Sequence, residues 1–319
     1  MAFDLQPVAR IDVGYLSLPP SPSTASQAPQ VLTPALRGGV GVTLLPGLDG
    51  KVVLGVLPAE TAGRQGVGIR EASVTWRPAG RLAVSGGQVR LPWQELEDRT
   101  SFGQWFPGGL MGASGLLEPA GLGASTALDL GDADGAEIGA AVAAVASEGW
   151  LGGAGSRPGP IVPAYWGRGP ALHGRLRARV PGLGTWALGG RFNFADDQQV
   201  MAMVHDHVGP VSWHLSGGAS SSAAVGIDVA GQAELRLWWT GDAAPQATGS
   251  WVVLSGRGLR GTQPAAEASA SWEAGIGVGA APDDHTQAVT GLTWRKRADA
   301  AEPELWWRTA VSWRLREDD

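Results

Sequence analysis

Between Glu304 and Arg316 the chain reads Glu-Leu-Trp-Trp-Arg-Thr-Ala-Val-Ser-Trp-Arg-Leu-Arg, and alternate residues have opposite character. Leu305, Trp307, Thr309, Val311, Trp313 and Leu315 form one set. Trp306, Arg308, Ala310, Ser312, Arg314 and Arg316 form the other. Successive side chains of a strand leave from opposite faces, so this stretch is an apolar face backed by a cationic one. Wound as a helix, the same arginines would scatter around the axis. About a dozen residues is long for a soluble strand and close to the ~9–11 with which a tilted strand crosses a bilayer. The stretch therefore predicts a transmembrane β-barrel strand, with lipid on one side and a polar lumen on the other. It also predicts that the rest of the chain repeats the pattern.

Composition supports this reading. Only 17% of residues are charged, where soluble domains average about 25%. Trp occurs 15 times against 2 Tyr and 5 Phe, and its apolar ring with a polar N–H suits a membrane–water interface. With no Cys there is neither a disulfide framework nor thiol chemistry. A net charge of −6 argues against nucleic acid as a partner. No run of about 18 apolar residues exists, which excludes helical membrane spans. Met1-Ala2-Phe3-Asp4 leads almost directly into a strand pattern without a signal peptide, so an exported barrel is expected here in its mature form.

Taken in order, Val8–Leu18, Leu36–Leu44 and Val52–Val56 alternate, as do Ile69–Arg77 and Arg81–Leu91, joined by Pro78-Ala79-Gly80. Gly86-Gly87 is expected to break the phase as a β-bulge. Leu122–Leu130 and Ile138–Ala146 follow; the second is Ala-rich and apolar on both faces, so a short helix competes there. In His173–Val180, His173, Arg175, Arg177 and Arg179 share one face. Trp186–Phe194, Val200–Val208, Val211–Gly217, Ala223–Val229, Ala233–Trp239, Ser250–Ser255, Ala268–Ala280 and Gln287–Arg297 lead to the closing stretch, which is expected to pair with Val8–Leu18. That makes about 17 candidates, but single-chain bacterial barrels have even strand numbers. One candidate in the region Val200–Val229 is therefore surplus, leaving about 16. Long loops at 19–33, 93–120 and 147–170 alternate with short turns near 47–50, 78–80, 132–135 and 181–184, as outer loops alternate with periplasmic turns.

The segment IREASVTWRPAGRLAVSGGQVRLPW resembles the hairpin of the phosphate- and carbohydrate-type outer-membrane porins. The residues that carry the likeness are Glu71 and Ala72 at the opening, then Gly87, Pro92 and Trp93 at the close. The likeness covers about 25 residues and does not specify a solute. It implies an all-β, antiparallel up-and-down barrel spanning residues 1–319 as a single domain, located in the outer membrane. Homotrimers are common in that class, and a loop such as 94–120 often folds into the lumen. Those barrels usually finish on an aromatic residue, whereas here Trp313 is followed by Arg314-Leu315-Arg316-Glu317-Asp318-Asp319, a departure that suggests a periplasmic tail.

Of the basic residues 22 are Arg and only Lys51 and Lys296 are Lys. Guanidinium is always charged and makes forked hydrogen bonds to oxyanions. The residues expected to line the lumen and meet solute are Arg175, Arg177, Arg179, Arg191, Arg236, Arg295, Arg308, Arg314 and Arg316, with Glu267 and Glu273. Arg10 and Arg37 fall on the same kind of face. Such a ladder favours anions, unless carboxylates such as Asp12, Glu71, Asp228, Glu234, Glu267 and Glu273 neutralise it. Three like charges at Arg175, Arg177 and Arg179 repel unless something anionic sits among them. Trp76, Trp186, Trp213, Trp239, Trp272, Trp294, Trp307 and Trp313 are expected at the membrane interface, and Trp251 on the same apolar face. His205 and His207 face one way on a strand, but no further ligand completes a metal site around them. No nucleophile elbow surrounds His214 and Ser220–Ser222, and no phosphate-binding Gly-rich loop occurs, so neither enzyme nor cofactor is expected.

The expected function is passive diffusion of small hydrophilic solutes through an outer-membrane channel with anion preference. The expected partners are the lipid bilayer, the solute and further copies of the chain. A non-conducting barrel acting as a membrane anchor or scaffold in an envelope secretion or motility assembly is the alternative. A soluble all-β binding protein is the third reading.

Overall fold

The computed structural model describes residues 4–17, 30–57, 66–93, 120–133, 136–148, 170–193, 197–222, 226–241, 248–262, 269–296 and 302–315. They form 16 strands: β1 (Asp4–Ser17), β2 (Gln30–Leu45), β3 (Leu48–Leu57), β4 (Gly66–Ala79), β5 (Leu82–Arg90), β6 (Ala120–Ala133), β7 (Ala136–Glu148), β8 (Ala171–Val180), β9 (Gly184–Asn193), β10 (Asp197–Val208), β11 (Val211–Ser222), β12 (Gly226–Gly241), β13 (Gly249–Thr262), β14 (Ser269–Ala281), β15 (Thr286–Lys296) and β16 (Glu304–Leu315). Each pairs antiparallel with its neighbours in sequence, and β1 pairs with β16 to close the barrel. The seam runs from Ala9↔Leu315 to Ser17↔Trp307, so the stretch Glu304–Arg316 is the closing strand.

Side-chain exposure follows strand alternation. On β16, Trp307, Val311 and Leu315 are exposed, whereas Trp306, Arg308, Ala310 and Ser312 are buried. The same division runs round the barrel: Leu36, Val40, Val52, Val74, Leu128, Val142, Leu176, Leu188, Val200, Leu215, Leu235, Leu254 and Ile276 all face outward. An outer wall of aliphatic residues this extensive is unsustainable in water and is what a bilayer solvates.

Successive connections alternate between the two ends of the barrel, and the longest all lie at one end. Those at 46–47, 80–81, 134–135, 181–183, 209–210, 242–248 and 282–285 lie at one end. Those at 18–29, 58–65, 91–119, 149–170, 194–196, 223–225, 263–268 and 297–303 lie at the other, and three of them exceed 10 residues. The short-connection end also holds the start of β1 and the end of β16. Tight turns there are built on Gly47, Gly182 and Gly209 at positive φ, where only a residue without Cβ is unstrained. In the β14–β15 turn the Asp283 carboxylate accepts the His285 N–H at 2.9 Å, and that bond holds the carboxyl below its usual range.

Several details differ from the sequence reading. The surplus candidate arose because the described part of Ala223–Val229, from Gly226 on, and Ala233–Trp239 belong to one 16-residue strand, β12. Gly231 interrupts the pattern there without interrupting the ladder. The Ala-rich 138–146 segment is strand β7, with Ala141, Ala143 and Val145 buried and Val142 exposed. Turns are shorter than expected because polar and Gly residues at strand ends stay in the ladder: Asp49 pairs with Thr43, and Ala79 with Leu82. The β4–β5 register runs unshifted through Ser73↔Gly87, and the irregularity comes instead at the turn, between Trp76 and Ala79. Gly87 nevertheless sits at φ 116°, and a Cβ there would lie 2.4 Å from the Ala72 carbonyl oxygen. Residues 19–29, 94–119 and 149–169, most of the three expected long loops, lie outside the described residues.

Gly87→Ala should therefore lower unfolding free energy in detergent by about 1–3 kcal/mol. Gly86→Ala, with nothing within 4 Å of its Cβ position, should leave it nearly unchanged. Chemical denaturation followed by gel mobility of unheated samples measures both.

Candidate functional site

The inner wall is a set of rows in which residues on neighbouring strands stand directly opposite one another. One row runs Gln232, Arg257, Glu273, Arg295, Glu304 across β12 to β16, with charges alternating from Arg257 onward. Glu273 is its centre. Its Oε2 accepts Arg257 Nε at 2.9 Å, its Oε1 lies 3.0 Å from Arg295 Nε, and Arg308 Nη1 stands 3.6 Å from Oε2. Both Glu273 and Arg308 are almost wholly buried. One carboxylate thus holds three guanidinium groups from β13, β15 and β16. On β12, Glu234 binds Arg236 at 2.7 Å, and Arg236 also lies over the Trp251 ring, 5.1 Å from its centroid. On β3 to β5, Glu71 lies 3.5 Å from Lys51 and 3.4 Å from Arg90.

Across the seam the composition changes. Arg314, Arg10 and Arg37, from β16, β1 and β2, stand opposite one another in a single row. Arg10 and Arg37 are buried. On β8 and β9, His173 stands opposite Arg191, which stands opposite Gln199 on β10. All three are buried.

The expected cluster on β8 divides between two partners. Arg175 donates from Nη1 to the Pro92 carbonyl at 2.7 Å. Arg177 and Arg179 stand 4.0 and 3.7 Å from the two oxygens of Glu137 on β7. The counter-charge for this cluster is thus Glu137, one residue ahead of the segment that sequence alternation marked out. These pairs are half-exposed and contribute little stability. Arg236, Arg295, Arg308 and Arg314 occupy inner-wall rows together with Arg175, Arg177, Arg179 and Arg191. Arg316 and Glu267 lie outside the described residues, as do the side chains of Asp12 and Asp228.

Two apolar patches interrupt this polar surface. Leu91, Pro92 and Trp93 follow β5 as an inward turn. Trp93 rests on β9, where a Cβ on Gly189 would lie 2.5 Å from its ring. Beneath it Val89, Leu91, Ala143, Val145 and Ala171 cluster. The second patch is Trp238, Trp251, Val253, Ala281, Val289 and Ala310, toward the short-connection end of β12 to β16. Here Trp251 corrects the sequence reading: it is 0% exposed and faces inward, its ring over Gly279 and 4.5 Å from that of Trp238. An indole lying flat along the inner wall is possible because the opposite residue has no side chain. Trp238 donates to Ser212 Oγ at 3.1 Å and Trp306 to Glu304 at 3.1 Å. Strand alternation places Trp306 on the cationic face and Trp307 on the apolar one, but it puts Trp251 on the wrong face.

Outside, Trp272, Trp294 and Trp307 lie near the long-connection ends of β14, β15 and β16. Trp76, Trp186, Trp213, Trp239 and Trp313 lie near the short-connection ends of their strands. These are two bands at the two edges of the apolar belt. Trp186 donates to the Leu183 carbonyl at 2.7 Å. Among the described residues no group of three or more His, Asp or Glu could hold a metal ion.

The whole chain matches solved barrels. OmpT of Vibrio cholerae in its trimer form covers 99% of this chain with 100% of its own, at TM-score 0.59 and 9% identity. Salmonella typhi OmpF, solved in complex with daunomycin, covers 98% with 97% of its own, at TM-score 0.61 and 10% identity. The anion-selective porin from Comamonas acidovorans covers 98% with 100% of its own, at TM-score 0.56 and 14% identity. The fold is that of the outer-membrane porin barrel. No protein-family model matches the sequence, nor does any curated protein.

Removing the Glu273 charge leaves three guanidinium groups facing one another in a site where Arg308 is almost dry. Glu273→Gln should lower unfolding free energy by about 3 kcal/mol, with part recovered in the Glu273→Gln, Arg295→Gln double variant. Denaturant titration in detergent tests this coupling.

Proposed function

We propose that this chain is an outer-membrane porin that conducts small hydrophilic solutes by passive diffusion and prefers anions. The observation that carries the proposal is a closed 16-strand wall, apolar and Trp-banded outside, with rows of charged and polar side chains inside. A wall of that size encloses more space than its own side chains fill. Selectivity then comes from bore width and fixed charge rather than from binding chemistry. The anion preference is supported by Arg177 and Arg179, whose partner Glu137 supplies one charge for two. The inward turn at Leu91–Trp93 narrows the bore from the β5 side.

The distribution of outward Trp supports assembly with further copies, as a homotrimer. Seven of the eight lie on β9 to β16, and only Trp76 lies on β1 to β8. A wall sector without interfacial indoles is one that meets protein rather than lipid headgroups.

One observation favours the second reading, a plugged barrel serving as anchor or scaffold in an envelope assembly. Inner-wall residues such as Arg10, Gln199, Thr293 and Arg308 are at most 3% exposed, less than an open aqueous bore would leave them.

Reconstitution into planar bilayers decides between the two. The porin reading expects single-channel steps, with a reversal potential that shows chloride more permeant than potassium. Well-folded protein that passes no current sinks it and leaves the anchor. Changing Arg175, Arg177 and Arg179 to Ala should reduce the chloride-to-potassium permeability ratio about twofold. An unchanged ratio refutes the role given to these arginines.

A further inference from the structure

Two indoles lie on glycines of the inner wall, and they differ in what they carry. Trp251 belongs to strand β13, and its ring covers Gly279 of the neighbouring strand β14. Trp93 belongs to no strand and ends the inward turn Leu91–Trp93 that follows β5. Along that turn Leu91 clusters with Ala143 and Val145 of β7 and with Ala171 of β8. Pro92 is bound by Arg175 of β8, and Trp93 reaches Gly189 of β9. The turn is thus a strap laid across the inner wall from β5 to β9.

The far end of the strap has two anchors side by side, because Arg175 and Gly189 stand directly opposite one another. Arg175 Nη1 donates to the Pro92 carbonyl at 2.7 Å. Trp93 is 1% exposed, and among the described residues its Nε1 has no hydrogen-bond partner. Apolar contact and fit therefore hold the ring. Gly189 supplies the fit: a Cβ there would lie 2.5 Å from Cε3 of the indole and 3.1 Å from Cζ3. The wall beside it is apolar, with Ala187 two residues away on β9 and Met201 directly opposite on β10, both buried. An indole seated this way is stabilised by burial, and one added methyl group removes the seat. A segment tied at both ends has one position; tied only at β5 it takes many, and the bore it narrows then changes width with it.

We propose that Trp93 is a positioning residue of the channel and Gly189 its seat, and that together they latch the strap against the wall and hold the bore at one fixed width. The proposal rests on the channel reading above and adds to it the residues that set the bore.

The test is a double-variant cycle on the full-length protein, read in two ways. In planar bilayers the wild type should show one open-channel level. Trp93→Ala removes the ring and Gly189→Ala denies it the seat, so each should lose the single level and switch among several. The double variant should behave as Trp93→Ala does. Denaturant titration in detergent reads the contact without current. There Gly189→Ala should lower the unfolding midpoint when Trp93 is present and leave it nearly unchanged in the Trp93→Ala background, where the methyl group meets no ring. Gly279→Ala is the matched control: it displaces Trp251, which carries no strap, and should keep one level. A single level in either Trp93→Ala or Gly189→Ala overturns the proposal and leaves the channel reading intact. Switching among levels in Gly279→Ala, or a midpoint shift by Gly189→Ala that persists without Trp93, does the same. Absence of current from folded wild-type protein overturns the channel reading and this proposal with it.

Discussion

The structure depends on one requirement: every backbone N–H and C=O at bilayer depth must find a partner within the protein. Hydrocarbon offers none, and each unsatisfied group costs several kcal/mol. A sheet meets the requirement only if it has no edge. The β1–β16 pairing, from Ala9↔Leu315 to Ser17↔Trp307, therefore does more than close a circle, since it removes the last two unpaired rows. Strand length follows from the same requirement. Asp49, Ala79 and Ala133 stay in the ladder although the sequence reading places them in turns, because leaving it early would expose polar backbone near lipid.

Closure separates two solvents, and the side chains divide accordingly. The outer wall is uniform, and its identity at any one position matters little. The inner wall is heterogeneous, and it changes from one arc to the next. Between β12 and β16 charges alternate across strands, so Glu273 compensates Arg257, Arg295 and Arg308 locally. Across the seam the row Arg314, Arg10, Arg37 repeats one sign. In a medium of low dielectric, a row of alternating sign contributes rigidity and little far field. The number of arginines is thus a poor guide to the field; their placement relative to Glu71, Glu137, Glu234 and Glu273 decides it.

Barrel topology and the facing of the strands were legible in the sequence because alternation has a period of two and each strand carries its own copy. The strand count of 16 was legible once an even number was required, and the surplus candidate came from β12, where Gly231 lowers the local signal without altering the backbone. Tertiary partners were not legible. Nothing in His173–Val180 indicates that Arg175 reaches Pro92, eighty-three positions away in sequence. Nor does it show that Glu137 serves Arg177 and Arg179, because register between β7 and β8 is set across a connection of 22 residues. His205 and His214 were visible as neighbours on a hairpin, but their direct opposition required the Gly209-Pro210 turn to be placed to the residue.

The Trp residues show where period-two reading ends. Trp238-Trp239 and Trp306-Trp307 are adjacent pairs, and in any strand one member of each must face inward. Trp239 and Trp307 are exposed, and Trp238 and Trp306 are buried. A buried indole on a polar wall needs room and a partner for its N–H. Ser212 and Glu304 supply the partners for Trp238 and Trp306, and Gly279 supplies the room for Trp251. These indoles lie along β12 to β16, the arc on which Arg236, Glu273 and Arg308 are held. Flat aromatic packing against the wall fixes the stems of the charged side chains around it, so the apolar patch and the compensated row form one rigid arc. The opposite arc, β7 to β11, carries no such packing at the short-connection end, and there Arg177, Arg179 and His207 stay solvent-accessible. Solvent-accessible charge on these two arcs therefore lies where aromatic packing leaves the inner wall open.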